Sequence, residues 1–194
     1  MKSISEMQMQ SANVNMPEKA GSIADAFCRA YYAAGAVERA LGTHAPDRGA
    51  RMAMAAARVM QIANLLDADL QPEIERKIAR NRRRVYIKDA DGITRRVSDA
   101  KADESDIPAC VPMRELQRAV YQNKVDKGFN ITDINLEICL IYGELNESYD
   151  AYLNSPETVG EELADVMIYL MGLSEIVGID LQAELERGLF EDAV

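Results

Sequence analysis

Four carboxylates in the second half of the chain have the types and spacing of a metal site. They form two pairs, Glu144 with Glu147 and Glu162 with Asp165, and the members of each pair are three residues apart. Residues at this spacing share one face of an α-helix. The turn-forming residues 154–157 lie between the pairs, which predicts two antiparallel helices that hold the pairs opposite each other.

The helices predicted to carry these acids are otherwise apolar, notably over residues 138–141 and 166–170. Carboxylates that face one another in such surroundings raise one another's pKa, and a bound cation relieves the repulsion. Oxygen ligands favour Mg²⁺ or Mn²⁺, because the sole histidine, His44, lies in the other half of the chain. The alternative interpretation is an exposed acidic helix face without a ligand.

Composition and periodicity predict an all-α helical bundle. Hydrophobic residues make up 48% of the 194 residues and aromatic residues 6%, and apolar positions recur every three or four residues. No apolar run is long enough to cross a bilayer, and the three cysteines are widely spaced, so we expect a soluble cytoplasmic protein with reduced thiols and no membrane partner. Helices are predicted over residues 18–41, 47–67, 71–84, 112–127, 133–153, 157–177 and 180–190.

Three segments depart from the helical pattern. Residues 1–16 are polar and are predicted to form a flexible tail. Residues 85–97 predict a short β-hairpin, because an Asp-Gly turn signal separates two runs with β propensity. Residues 99–112 are polar and contain two prolines, which is typical of a linker.

The two halves of the chain share a repeated segment. Residues 69–76 match residues 180–187 at six of eight positions, at an offset of 111 (180 − 69). We interpret this as a tandem duplication, with repeats over residues 17–98 and 113–194. Chance similarity between two amphipathic helices is the alternative.

The motifs of the second repeat, in their order, resemble the MazG-like superfamily of all-α nucleoside-triphosphate pyrophosphohydrolases, whose relatives include dimeric dUTPases and phosphoribosyl-ATP pyrophosphohydrolases. The similarity covers residues 113–187. It rests on Lys127-Gly128-Phe129, the E-x-x-E pair at 144–147, the run E-E-L-A-D-V at 161–166, and G-I-D-L at 178–181.

The resemblance implies that the four carboxylates bind Mg²⁺ or Mn²⁺ and that a nucleoside triphosphate, NTP or dNTP, is hydrolysed to the monophosphate and pyrophosphate. Gly143 stands where many members carry a second acid, which leaves the number of ions open. Three further residues are candidates: Glu161 as a catalytic base, and Lys127 and Tyr169 as substrate contacts. Packing in the core is the alternative for Tyr169.

A basic signature of the same family lies in the other repeat. Single-unit relatives carry K-x-x-x-N-x-x-R after the acidic pairs, and here Lys77, Asn81 and Arg84 form that pattern in the first half. The first repeat has no acidic pairs at the corresponding positions. We therefore hypothesise one composite site, with phosphate-binding cations from the first repeat and metal ligands from the second. The alternative is a solvated basic helix end.

The charge distribution limits the partners. The net charge is −10; residues 1–108 carry 17 basic and 15 acidic groups, and the remaining residues carry 5 and 17. This acidic balance disfavours nucleic acid as a partner. Alternative functions are a non-catalytic helical module that binds nucleotide or protein, and an activity like that of phosphoribosyl-ATP pyrophosphohydrolase. Whether two copies pair as a homodimer stays open.

Overall fold

A computed structural model describes residues 2–13, 20–91, 94–98 and 110–190. These residues are mostly helical, which confirms the all-α class. A single turn of 3₁₀ helix, Pro156–Thr158, precedes the seventh helix, and a π-helical turn, Glu186–Phe190, follows the eighth. The described α-helices are α1 (Ile4–Asn13), α2 (Ile23–Gly42), α3 (Arg48–Leu65), α4 (Leu70–Arg83), α5 (Met113–Lys127), α6 (Ile134–Asn154), α7 (Val159–Ile176) and α8 (Leu181–Leu185).

Side-chain caps fix the starts of four helices. Ser22 caps α2, Asp69 caps α4, Asp133 caps α6 and Asp180 caps α8, and in each case the side-chain oxygen accepts a hydrogen bond from a backbone N–H of the first turn. The helices α3 to α7 lie close to the predicted ranges, and α2 begins at Ile23, later than the predicted start at residue 18.

Corresponding helices of the two halves begin 111 residues apart. This holds for α2 and α6 (134 − 23), for α3 and α7 (159 − 48), and for α4 and α8 (181 − 70). The packing repeats as well, because α2 packs against α3 as α6 packs against α7. The repeat in the sequence thus has a counterpart in the positions of the helices.

The last helix of each half packs against the third helix of the other half, α4 against α7 and α8 against α3. A glycine lies at the equivalent place in both crossings: Gly49 faces Glu184, and Gly160 faces Glu73. A methyl group added at Gly49 would come within 2.6 Å of the carboxyl carbon of Glu184, so the side chain of Glu184 would have to move to admit one. The exchange places the basic end of α4 beside the acidic helix α7.

The prediction of a flexible tail over residues 1–16 is wrong for residues 4–13, which form α1. Ile4 and Met7 are fully buried. The polar residue Gln8 is also buried and bonds to the connection between α3 and α4: its Oε1 accepts from Leu70 N at 3.1 Å, and its Nε2 donates to Ala68 O at 2.6 Å. The polar composition therefore reflects hydrogen bonding inside the fold; residues 14–16 lie outside the described residues.

Gln117 of α5 makes the same set of bonds in the second half. Its Oε1 accepts from Leu181 N at 3.1 Å, and its Nε2 donates to Ile179 O at 2.8 Å. These partners lie 111 positions after the two backbone partners of Gln8. Helix α1 is thus the counterpart of α5, and the described residues of each half form four α-helices.

The predicted hairpin is present, with strands β1 (Val85–Lys88) and β2 (Thr94–Ser98) paired antiparallel. Of the predicted linker over 99–112, residues 99–109 lie outside the described residues. Within the described part of the chain, no helix combines the length and the hydropathy that crossing a membrane requires.

Candidate metal centre and adjoining cavity

Three of the four predicted metal ligands come together between α6 and α7. Carboxylate oxygens of Glu144, Glu147 and Glu162 all lie within 4.8 Å of one another. The short turn Pro156–Thr158 reverses the chain and makes the two helices neighbours. The i,i+3 spacing then puts both acids of the first pair on the face that meets α7, as the sequence predicted.

The fourth predicted ligand, Asp165, is bound by a lysine. Its Oδ2 accepts a hydrogen bond from Lys77 Nζ of α4. The side chain of Lys77 is 7% exposed and that of Asp165 is 21% exposed, so the ion pair lies largely out of water. This contact joins the first half of the chain to the second at the acidic site.

Three carboxylates, those of Glu144, Glu162 and Asp165, hold their protons more tightly than free carboxyl groups do. Burial, followed by the charges of Asp165 and Glu147, raises the pKa of Glu144 to about 7. Burial also raises the pKa of Glu162, and it raises that of Asp165 despite the opposing charge of Lys77. A cation among these oxygens would offset the repulsion, so the donor set fits a hard divalent ion such as Mg²⁺ or Mn²⁺.

Glu161 lies on the side of α7 that faces the basic residues of α4. Its Oε2 accepts a hydrogen bond from Arg80 Nη2 at 3.2 Å and lies 3.8 Å from Lys77 Nζ. Burial alone would raise the pKa of Glu161, but the hydrogen bond and charge of Arg80 outweigh it and lower the pKa below its usual value. Arg80 was not among the predicted site residues, although it lies within the basic run.

A cavity of about 310 Å³ adjoins the acidic cluster. It opens between α4, α5, α7 and the hairpin, and Glu144 and Asp165 form the wall on the metal side. The other described lining residues are Ile78, Asn81, Arg84, Tyr86, Val120, Asn123, Lys124, Phe129, Ile168 and Tyr169.

Aromatic rings form one side of this cavity. Tyr86 of β1 packs edge-on against Phe129, with ring centroids 4.8 Å apart. Tyr169 completes the aromatic side, and Lys124 Nζ lies 5.2 Å from the centroid of its ring. Burial raises the pKa of Tyr169, so its hydroxyl stays protonated at neutral pH. The structure therefore places Tyr169 at the cavity rather than only in the core.

Polar groups on the cavity wall are only partly satisfied. Asn81 Oδ1 accepts from Arg84 Nη1 at 2.8 Å, while the buried Nε of Arg84 has no hydrogen-bond partner among the described residues. The amide of Asn123 also lines the cavity. Buried polar atoms are nearly always hydrogen-bonded, so this buried N–H is an unused donor on the guanidinium of a residue that lines the cavity.

Lys127, predicted to contact substrate, lies at a different place. Its Nζ donates to the carbonyl oxygens of Arg82 and Arg84, at 3.0 and 2.7 Å. Lysine side chains commonly satisfy the free carbonyls at a helix C-terminus. Lys127 thus holds the end of α4 against α5, and it is absent from the described cavity lining.

Sequence reasoning missed Tyr86 and Lys124. Tyr86 follows α4 in the hairpin, and no spacing rule connects it to the acidic pairs. Lys124 is buried with Glu137, to which its Nζ donates at 2.6 Å. Two opposite charges 13 residues apart on consecutive helices are a weak signal in sequence.

No protein-family model, no curated protein and no solved structure matches this chain.

Proposed function

We propose that the chain is a metal-dependent nucleoside-triphosphate pyrophosphohydrolase of the MazG-like type, which converts an NTP or dNTP to the monophosphate and pyrophosphate. The observation that carries the proposal is the convergence of Glu144, Glu147 and Glu162 within 4.8 Å beside an aromatic-walled cavity. This combination suits a substrate with a planar base at one end and metal-binding phosphates at the other.

In this proposal Glu144, Glu147 and Glu162 hold Mg²⁺ or Mn²⁺. A bound ion of this kind neutralises phosphate charge and lowers the pKa of a water molecule. The raised pKa of Glu144 supports the assignment, because burial and neighbouring carboxylates leave this group short of positive charge.

The residues of the chain itself bind and orient the substrate. Arg84, with Asn81 beside it, faces the cavity and is suited to phosphate oxygens, since a guanidinium forms charge-assisted hydrogen bonds. Tyr86 and Phe129 offer aromatic surface to a base. With the substrate held at both ends, water attacks the α-phosphorus, the bond from this phosphorus to the bridging oxygen breaks, and pyrophosphate leaves with the bonding electrons.

Two roles are open to Glu161. As a base it would accept a proton from the attacking water, as the sequence resemblance suggested. Its contact with Arg80 supports a positioning role, because a carboxylate with a lowered pKa is a weaker base. A base role predicts that Glu161→Gln lowers kcat by about 100-fold or more, whereas a positioning role predicts a loss of less than about tenfold and a comparable loss for Arg80→Ala.

We also propose that the fold is a tandem duplication that shares one composite site. The common offset of 111 in three helix starts and the matching bonds of Gln8 and Gln117 support the duplication. The crossing of α4 with α7 supports the composite site, because it lets one repeat contribute cations and the other contribute acids.

The test is pyrophosphate release from a panel of NTPs and dNTPs with Mg²⁺ or Mn²⁺. We expect activity in the wild type, a loss of about 100-fold or more in Glu144→Gln, and no change in the control Glu157→Gln, which alters an exposed acid outside the site. Nucleotide binding without pyrophosphate release would instead support a non-catalytic module. Activity in Glu144→Gln equal to that of the wild type would remove the metal-dependent mechanism.

A further inference from the structure

We infer that this site binds a single divalent ion, on Glu144, Glu147 and Glu162, and that the ammonium group of Lys77 occupies Asp165 in place of a second ion. The inference rests on the proposed metal-dependent function and concerns the number of ions and the ligand set. It means that Lys77, from the first half of the chain, supplies a positive charge to a metal centre whose ligands come from the second half.

Asp165 lies next to the other three acids but has a different partner. Glu144, Glu147 and Glu162 form a cluster in which every pair of ligand oxygens lies within 4.8 Å, and Asp165 is outside that cluster. Asp165 is hydrogen-bonded to Lys77 instead. Three carboxylates are thus free to share one ion, while the fourth already has a cation.

Displacing Lys77 from Asp165 would be costly. The side chain of Lys77 is 7% exposed, so its charge needs a partner within the fold. Glu161 also lies 3.8 Å from its Nζ, but Glu161 already accepts from Arg80. The charge of Lys77 acts on Glu144 and Glu162 as well, but no described hydrogen bond joins it to either of them. If a metal ion bound Asp165, the buried charge of Lys77 would lose its hydrogen-bonded partner. Leaving a buried charge in this way is strongly unfavourable.

Further positive charge lies near Asp165. Arg80 and Arg84 both act on its carboxylate electrostatically, in addition to Lys77. Three basic side chains, two in α4 and one at its C-terminal cap, therefore oppose the approach of a second divalent cation from this side. Glu147 lies at the opposite end of the cluster. It forms no described ion pair with any of these three basic side chains.

Gly143 is consistent with a one-ion site. A side chain at this position would meet no atom within 4 Å, so packing does not require glycine there. An acid at position 143 would fit sterically, yet the chain has none. A site with fewer carboxylates and a resident lysine needs fewer ions to balance its charge.

The experiment is a count of Mn²⁺ ions bound to the full chain, by isothermal titration calorimetry and by electron paramagnetic resonance of free Mn²⁺. We expect one ion per chain in the wild type. Asp165→Asn should change the Kd for Mn²⁺ by less than about threefold, whereas Glu162→Gln should weaken binding by about tenfold or more, because only the latter removes a ligand charge. Lys77→Met frees the carboxylate of Asp165 and should allow a second ion to bind.

Because Asp165→Asn leaves Lys77 without its partner, thermal melts should accompany each titration. The double variant Lys77→Met/Asp165→Asn removes both charges and should again bind one ion. Two ions on the wild type, or equal losses of affinity in Asp165→Asn and Glu162→Gln, would overturn this inference and leave the proposed function standing. Absence of Mn²⁺ binding to the wild type would overturn both.

Discussion

Lys77 and Asp165 are 88 residues apart in sequence, yet the Nζ of Lys77 donates a hydrogen bond to the Oδ2 of Asp165. The contact exists because α4 crosses from the first half of the molecule to α7 in the second. The basic end of α4, from the half that has no acidic pairs, and the acidic helices α6 and α7, from the half that has no basic signature, thereby become neighbours. The same crossing brings Arg84 to the cavity beside Glu144.

Arg84 should therefore contribute to substrate binding although it belongs to the first half of the chain. We expect Arg84→Ala to raise KM for the preferred nucleotide by about tenfold or more, since a charge-assisted hydrogen bond is worth roughly 1.5–3 kcal/mol. Arg82→Ala is the matched control, because the side chain of Arg82 is exposed at the same helix end. Steady-state pyrophosphate release measures both variants. Equal kinetics in the two variants would remove the composite site.

Tyr86 should determine how well the base is held. It packs against Phe129 in the cavity wall, whereas the next residue, Ile87, is 53% exposed on the hairpin. Stacking of a base on an aromatic ring is worth about 1–3 kcal/mol, so Tyr86→Ala should raise KM by about tenfold and Tyr86→Phe should retain most of the affinity. Ile87→Ala should leave KM unchanged. Similar KM values for Tyr86→Ala and Ile87→Ala would show that the base lies elsewhere.

The acidic pairs and the hairpin were predictable because their signals are local. The i,i+3 spacing fixes a helix face, and an Asp-Gly turn between β-prone runs fixes a hairpin. The position of Tyr86 was not predictable, because its contact with Phe129 depends on how the hairpin packs against the end of α5. Non-local packing of this kind leaves no periodic trace in the sequence.

Helix α1 was missed for a different reason. Its buried polar residues, such as Gln8, lower the apolar content on which helix prediction depends, and a polar composition of this kind is typical of a flexible tail. The compensating hydrogen bonds to Ala68 and Leu70 come from residues 60 or more positions away. The match between residues 69–76 and 180–187 does not extend to α1. An alignment of α1 with α5 would have revealed the helix.

The ionisation of Glu144 should make metal binding depend on pH near neutrality. Burial, then the charges of Asp165 and Glu147, raises its pKa to about 7, and a metal ligand must lose its proton. The affinity for Mn²⁺ should therefore increase by up to about tenfold per pH unit from about pH 6 to 7 and level off above that. Titration calorimetry at several pH values measures this. An affinity that does not change over this range would show that Glu144 is already ionised.

The raised pKa of Glu144 should also make the metal-free protein less stable as pH rises, whereas metal affinity increases. Because the folded state binds the proton of Glu144 more tightly than the unfolded state, the free energy of unfolding should fall as pH rises from about 4.5 to 7. Without metal, Glu144→Gln should then melt higher than the wild type at about pH 8, by about 2–4 °C for a gain of about 1 kcal/mol. Saturating Mg²⁺ should reverse the order, because only the wild type keeps all three ligands. A variant with a lower Tm than the wild type in metal-free buffer would contradict the prediction.

Gln8 should stabilise the whole fold if α1 is one of its helices. Gln8→Ala removes hydrogen bonds to Ala68 O, which is partly buried, and to Leu70 N, which is buried, so we expect a loss of about 3 kcal/mol in the free energy of unfolding. Gln10→Ala is the matched control on the same helix. The amide of Gln10 is only half-buried and accepts from the side chain of Lys2, so that variant should lose no more than about 0.5 kcal/mol. Urea unfolding followed by circular dichroism distinguishes the two. If both variants unfold at the wild-type midpoint, residues 4–13 do not contribute to the stability of the core.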